Sequence, residues 1–372
     1  MAAGLFAIIS VALWSAIYQF QFTLPLTQIS SMQWHAHEMI YGYSLAVISG
    51  FLLTAVRNWT GKKTLHGMPL LVLICVWAMA RILLPLGYVL AAALFDLAFL
   101  LGLCAAVSYP IIKVRQWRQL AVLSKLVLLL VCNAAFYLDA LNIATNNGIY
   151  LGIYGGLYLV VGLILMMARR VLPFFITNGV NQPVTLFNSK WLDNSSLILF
   201  LVFFISELFV HHAQASVYSA IGLFAVNAIR LIGWHCKGIW QKPLLWSLYL
   251  SLWSICIGFL LFAASYLDGS SKFIATHAFA YGGIGVITLA MMSRVSLGHT
   301  GRDLSQPPLL IALAFGLILI GALVRVALPL WLPLHYIVWI GISQGLWIAA
   351  FCMFVGVYLP ILTQPRADGK PS

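Results

Sequence analysis

Charge is what this chain lacks most. It has 8 Asp and Glu among 372 residues, and the four charged types together make up 8% of it. A soluble domain carries about a quarter, and one this poor in charge would expose too much apolar surface to stay dispersed. No Cys-x-x-Cys occurs. The six cysteines (Cys75, Cys104, Cys132, Cys236, Cys256, Cys352) are scattered, mostly within apolar runs, which argues against a disulfide framework or a zinc knuckle and for small packing residues. No basic residue precedes the first apolar stretch, so it lacks the positive start of a secretory signal and reads as a retained span. The apolar runs are continuous and not alternating, which does not support a transmembrane barrel. An aromatic content of 13% excludes disorder.

What is present is 63% apolar residues together with a net charge of +12. Basic residues of a nucleic-acid protein cluster among polar ones, not within Leu-rich runs. The composition instead describes a polytopic, all-α protein of the lipid bilayer with no nucleic-acid partner. A bilayer core of about 30 Å needs roughly 20 apolar residues per helix. Twelve runs meet this, near 3–20, 36–56, 68–87, 89–112, 120–139, 148–168, 192–211, 215–233, 245–264, 273–293, 308–328 and 334–360. They predict one transmembrane domain over 1–365 and a short cytoplasmic tail over 366–372. The longest connection, 169–191, holds Arg169, Arg170, Pro173, Phe174 and Phe175 and is expected on the interface or partly re-entrant.

The basic residues test this count. Connections after even-numbered spans, with the tail, hold 17 of the 20 Lys and Arg; only Arg81, Lys272 and Arg325 fall elsewhere. This bias predicts cytoplasmic termini. The acidic residues Glu38, Asp96, Asp139, Glu207 and Asp268 lean to the outer side.

Ionisable groups inside a span are costly and therefore informative. The predicted topology gathers Arg81, Asp96, Glu38, His35, His37, His277, Arg325 and His335 at one depth, toward the outer face. Histidine is the commonest metal ligand and a frequent haem ligand. His35 and His37 are two apart, so on a regular helix they point about 200° apart; they share one metal only if the helix begins between them. His35 and Met39 share a face, as do His37 and Tyr41, and His277 and Tyr281. Tyr41-Gly42 and Tyr281-Gly282 follow their histidines alike, and Thr60-Gly61 and Thr300-Gly301 follow at the same offsets of 23 and 24 residues. Arg81 and Asp96 pair with each other in the plainest reading; otherwise Arg81 or Arg325 suits a carboxylate-bearing cofactor. His211-His212 reads as a loop pair, and His66 and His235 as surface.

These residues resemble the NnrS family. The resemblance rests on His35-Ala36-His37-Glu38-Met39, on Gly50-Phe51-Leu52-Leu53-Thr54-Ala55-Val56 with Asn58-Trp59-Thr60-Gly61, and on Pro173-Phe174-Phe175. It extends to Pro243-Leu244-Leu245-Trp246 and to His277 through Leu297-Gly298-His299-Thr300-Gly301-Arg302. It implies a bacterial inner-membrane protein carrying haem b and copper and linked to nitric oxide and nitrosative stress. It settles neither a catalytic activity nor an electron donor. The chain departs from the family in three places. Members often begin with a Gly-Phe-Arg-Pro-Phe-Phe-like stretch that this chain starts after, which points to a start upstream. Arg57 stands where Pro is common, and Leu248-Tyr249 where the family often shows Leu-His.

A more distant similarity, in architecture, is to haem–copper oxidases and nitric oxide reductases. These hold a low-spin haem between histidines of spans 2 and 10. Their copper-site histidine on span 6 has no counterpart here. By this likeness His37 and His277 are expected as axial haem ligands near the outer face. His35 is expected as a copper ligand or second haem ligand, with Met39 suiting copper(I). Glu38 would orient an imidazole, and Arg81 or Arg325 would hold propionates. Two other classes compete. A small-solute or ion transporter needs broken helices, and Pro85, Pro110 and Pro360 lie near helix ends. An assembly partner of a respiratory complex needs no cofactor.

Overall fold

A computed structural model describes residues 1–144 and 147–369; Lys370, counted above among the basic residues, lies outside them. The described residues form twelve main helices and no strand: α1 Ala2–Phe20, α2 Ser31–Thr60, α3 Met68–Leu83, α4 Val89–Lys113, α5 Trp117–Ala140, α6 Gly148–Gly179, α7 Lys190–Val210, α8 Ala213–Trp234, α9 Pro243–Leu267, α10 Lys272–His299, α11 Leu309–Trp331 and α12 Pro333–Thr363. Eleven are long and apolar enough to cross a membrane, and α3 is a shorter apolar helix of 16 residues. Each predicted span has its helix, and the chain is a multi-pass, all-α membrane protein. In lipid a helix satisfies its backbone groups internally, which is why apolar runs of this length take that form.

The sorting of faces is visible on α4. Leu90, Leu94 and Leu101 are exposed, while Ala92, Ala93, Asp96, Phe99, Leu100 and Leu103 are buried. The helical repeat therefore turns one stripe toward lipid and the other toward protein.

Several boundaries differ from the sequence reading: α10 runs to His299 and not to 293, so Arg294 is helical, and two others are instructive. Helix α2 begins at Ser31, a turn earlier than its apolar run. Ser30 forms a capping box with Gln33: its hydroxyl accepts from the Gln33 amide at 3.2 Å, and the Gln33 side-chain oxygen accepts from the Ser30 amide at 2.8 Å. Helix α6 does not end at 168. It continues through Pro173 to Gly179, so Arg169, Arg170 and Phe174-Phe175 are helical and not in a loop. A proline removes one backbone bond, and within a membrane bundle that loss is tolerated.

Four helices widen locally into π turns: Glu38–Ser44 in α2, Leu151–Gly155 in α6, Ser206–Val210 in α7 and Ala278–Gly285 in α10. Such turns are rare and frequent at functional sites.

Packing divides the described residues into two compact units, one formed by Leu13–Leu163 and the other by Ala3–Ala12 with the chain from Ile164 onward. In the first, Tyr41 donates to the Gly152 carbonyl at 2.7 Å and Trp77 to that of Gly42 at 3.0 Å. Gln116 reaches the Trp59 carbonyl. In the second, Tyr281 donates to the Ser343 carbonyl at 2.7 Å and Trp347 to that of Ala7 at 3.1 Å. Phe203, Phe259, Phe262 and Phe279 meet edge to face, an arrangement favoured by the ring quadrupole. The C-terminal tail closes on the end of α10. Arg366 donates to the His299 carbonyl at 2.7 Å, and the Ala367 amide to that of Thr300 at 2.9 Å.

Gly152 sits where α6 meets α5. A Cβ there would stand 2.5 Å from the Phe136 Cβ and 3.0 Å from the Cys132 carbonyl oxygen. Gly152→Val is expected to lose about 1–3 kcal/mol, the usual cost of overpacking. A thermal unfolding series in detergent checks it; an unchanged midpoint would show that this contact is slack.

Candidate functional site

The first histidine cluster lies where α2 passes from an α-helix into a π turn. After His37 the helix widens to a π turn, and His37, Glu38, Ile40, Tyr41, Gly42, Tyr43 and Ser44 are all buried. His37 and Glu38 therefore enter the same interior. Arg81 of α3 meets both acids there. It donates to Glu38 Oε1 at 2.7 Å and stands 2.5 Å from Asp96 Oδ1 of α4. Asn133 of α5 links the pieces. Its amide nitrogen donates to Asp96 Oδ2 at 3.0 Å, and its carbonyl oxygen faces His37 Nε2 at 2.9 Å. Tyr137 also donates to Asp96 Oδ2, at 3.2 Å. Because the Asn133 amide is turned by its bond to Asp96, His37 Nε2 is held as a donor. His37 Nδ1 faces Glu38 Oε1 at 3.2 Å. The imidazole lies against Phe136 at 4.4 Å and Tyr41 at 4.9 Å between ring centres.

The expected Arg81–Asp96 pair thus exists and is larger than a pair. Two carboxylates, one guanidinium and one imidazole interlock α2, α3 and α4, and Asn133 and Tyr137 add α5. Buried charges persist only when paired and hydrogen-bonded. Asn133 and Tyr137 escaped the sequence reading. Asn133 carried a signal, as a lone amide within the apolar run from Leu126 to Phe136.

His35 goes elsewhere, as its spacing from His37 requires. It is half-buried and stacked on Trp14, with centroids 4.5 Å apart and planes 5° apart. Met39, half-buried, follows in the π turn.

The second histidine is in the other unit, on the same local frame. Ser271 caps the start of α10, His277 ends its first α-helical stretch, and the π turn Ala278–Gly285 follows at once. His277 Nδ1 lies 2.6 Å from the Phe273 carbonyl, so Nδ1 carries the proton and Nε2 is the basic nitrogen. Arg325 of α11 faces Nε2 at 2.9 Å, and its guanidinium lies 5.7 Å from the Tyr336 ring centre. The internal echo extends to structure. Thr60 and Thr300 both bond a carbonyl four residues back, at 2.7 and 2.8 Å. Gly61 and Gly301 both take left-handed φ, +64° and +68°. A further match had been legible: Arg81-Ile82-Leu83-Leu84-Pro85-Leu86 parallels Arg325-Val326-Ala327-Leu328-Pro329-Leu330. Helices α2 and α10 are thus each followed by a helix whose end carries the start of an Arg-x-x-Leu-Pro-Leu run.

Four of the remaining histidines have local contacts. His212 caps α8 by accepting from the Ala215 amide, His66 reaches the Thr64 carbonyl, and His235 accepts from Trp240. The ring of His335 lies 6.2 Å from that of Trp339. A site the sequence did not single out joins Glu207, Tyr266 and Lys272. Tyr266 donates to Glu207 Oε2 at 3.0 Å, and Lys272 lies 2.6 Å from the Tyr266 oxygen and 3.4 Å from Glu207 Oε1. Among the described residues, no three of His, Cys, Asp and Glu converge as a metal would require.

Removing Arg81 leaves two carboxylates facing each other in a dry interior. Arg81→Met is expected to lose about 3–5 kcal/mol, and Asp96→Asn added to it should restore part of that loss. A double-mutant cycle on unfolding midpoints reads the coupling; additive losses would show that the ions are independent.

No curated protein matches the chain. A family model described as NnrS protein matches residues 1–366. With that match spanning nearly all of its length, this twelve-helix chain belongs to the NnrS family.

Proposed function

We propose that this protein is a haem- and copper-binding membrane protein of the nitric oxide response, in which His277 would hold the haem iron. His277 carries the reading, because its Nδ1 proton is anchored on a backbone carbonyl and Nε2 is left basic, the arrangement that prepares an imidazole to ligate. Arg325, now on Nε2, is the residue suited to a propionate, since its forked donors match a carboxylate. Arg81 fits that role less well, as its donors face Glu38 and Asp96. His37 fits ligation less well too, with both nitrogens facing protein oxygens. For copper(I) the chain offers His35 with Met39, an imidazole and a thioether.

A ferrous haem, when bound, supplies an iron orbital for nitric oxide. The protein's part is to hold the imidazole tautomer through Phe273, to place a cation beside the cofactor through Arg325, and to keep the surroundings apolar. Nitric oxide is small and uncharged, so it reaches such a site through the bilayer. The bias of the basic residues supports an orientation with both termini cytoplasmic.

The test is the visible spectrum of the purified protein, oxidised, reduced, and reduced with nitric oxide. The wild type should show a b-type haem that shifts on adding the gas, and His277→Ala should lose most of its haem. Full haem content with an unchanged spectrum in that variant overturns the ligand assignment. A colourless wild type favours the transporter reading instead.

A further inference from the structure

Charge accounting in the unit that begins again at Ile164 leaves the half-buried Arg294 without an acid. Its five acids are all engaged: Asp193 with Arg169 and Arg230, Glu207 with Lys272, and Asp368 with Arg366. Asp268 accepts from the Ser270 amide and Asp303 from Ser305. Arg294 of α10 has none of them. Among the described residues its guanidinium makes no hydrogen bond and no ion pair. Its one contact of this kind is aromatic, with Cζ 3.7 Å from the centre of the Phe175 ring of α6.

That contact has a directional consequence. Stacking on a ring fixes the plane of the guanidinium and covers one face. The N–H donors lie in that plane, at the edge, and no protein acceptor meets them. A half-buried guanidinium in a membrane helix, fixed in plane and without a counter-charge, is unfavourable by itself and is prepared for an oxyanion. Its depth indicates which one. Arg294 is five residues, about 7.5 Å of rise, from the end of α10 at His299, close enough for a long side chain to reach the headgroup layer.

We propose that Arg294, stacked on Phe175, binds a phosphate-type oxyanion, carried by the headgroup of an anionic phospholipid. The site joins the end of α6 to that of α10, so an occupied headgroup braces the helix that bears His277. It stands independently of whether that histidine holds haem.

The test uses the full-length protein in phosphatidylcholine bilayers with and without phosphatidylglycerol, comparing wild type with Arg294→Gln, Arg294→Lys and Phe175→Leu. Phosphatidylglycerol retained after detergent washing is counted by mass spectrometry, and unfolding midpoints are taken in parallel. The glutamine variant should retain about tenfold less, the scale of one lost charge-assisted contact. The lysine and leucine variants should fall between, because each loses either the fork or the stacking face. Inorganic phosphate added to phosphatidylcholine samples separates the sources. If it alone raises the wild-type midpoint and not that of Arg294→Gln, the site stands with the free ion as its occupant. Equal retention and equal midpoints in wild type and Arg294→Gln overturn the proposal and show a guanidinium that only snorkels to water. Should the glutamine variant fail to fold, the lysine and leucine variants carry the comparison, and wild-type values in both overturn it.

Discussion

One guanidinium between two carboxylates holds the Leu13–Leu163 unit in register. Arg81 binds Glu38 and Asp96 where there is no water to replace either partner. In such surroundings an unpaired charge is far costlier than in a soluble core, so α2, α3 and α4 must meet at one relative height. Asn133 and Tyr137 extend the constraint to α5 through Asp96. The apolar faces alone would set no height, because leucine packs against leucine at many offsets and lipid competes equally well for either. The polar cluster supplies that specificity.

The cluster sits where the backbone is irregular. A π turn begins at Glu38 directly after His37, both residues are buried, and Tyr41 one turn on bonds the Gly152 carbonyl. The same device follows His277, where Tyr281 bonds the Ser343 carbonyl. Two stretches far apart in the chain thus use one local solution: a serine cap, a histidine, a widened turn, a tyrosine tie and a Thr-Gly end. They differ in what meets the imidazole. His37 is enclosed by Glu38 and Asn133, while His277 keeps a basic nitrogen against an arginine. That difference separates a structural node from a place suited to a ligand.

Glycine has a specific part at the tie points. Gly152 brings α6 against Phe136 of α5, and Gly156 lies where a Cβ would crowd the Tyr41 hydroxyl. Without these close approaches the tyrosine could not reach its carbonyl.

The twelve helices, their order and the clustering of histidine, arginine and acid were legible in the sequence. Span length and charge placement obey bilayer physics one segment at a time. The echo of His37 in His277 was legible as well, and the Arg81–Asp96 pair was foreseen as the plainest reading. Helix ends were less legible: α6 runs past Pro173 because its neighbours tolerate a lost backbone bond, and periodicity does not show that. What only the tertiary structure decided was the company each side chain keeps. Asn133 joins His37 to Asp96, Glu207 meets Lys272 across two other helices, and Arg294 is left with a phenyl ring. These depend on π turns and on relative helix heights. Both arise from many weak contacts summed over neighbouring helices, and no local stretch of sequence contains that sum.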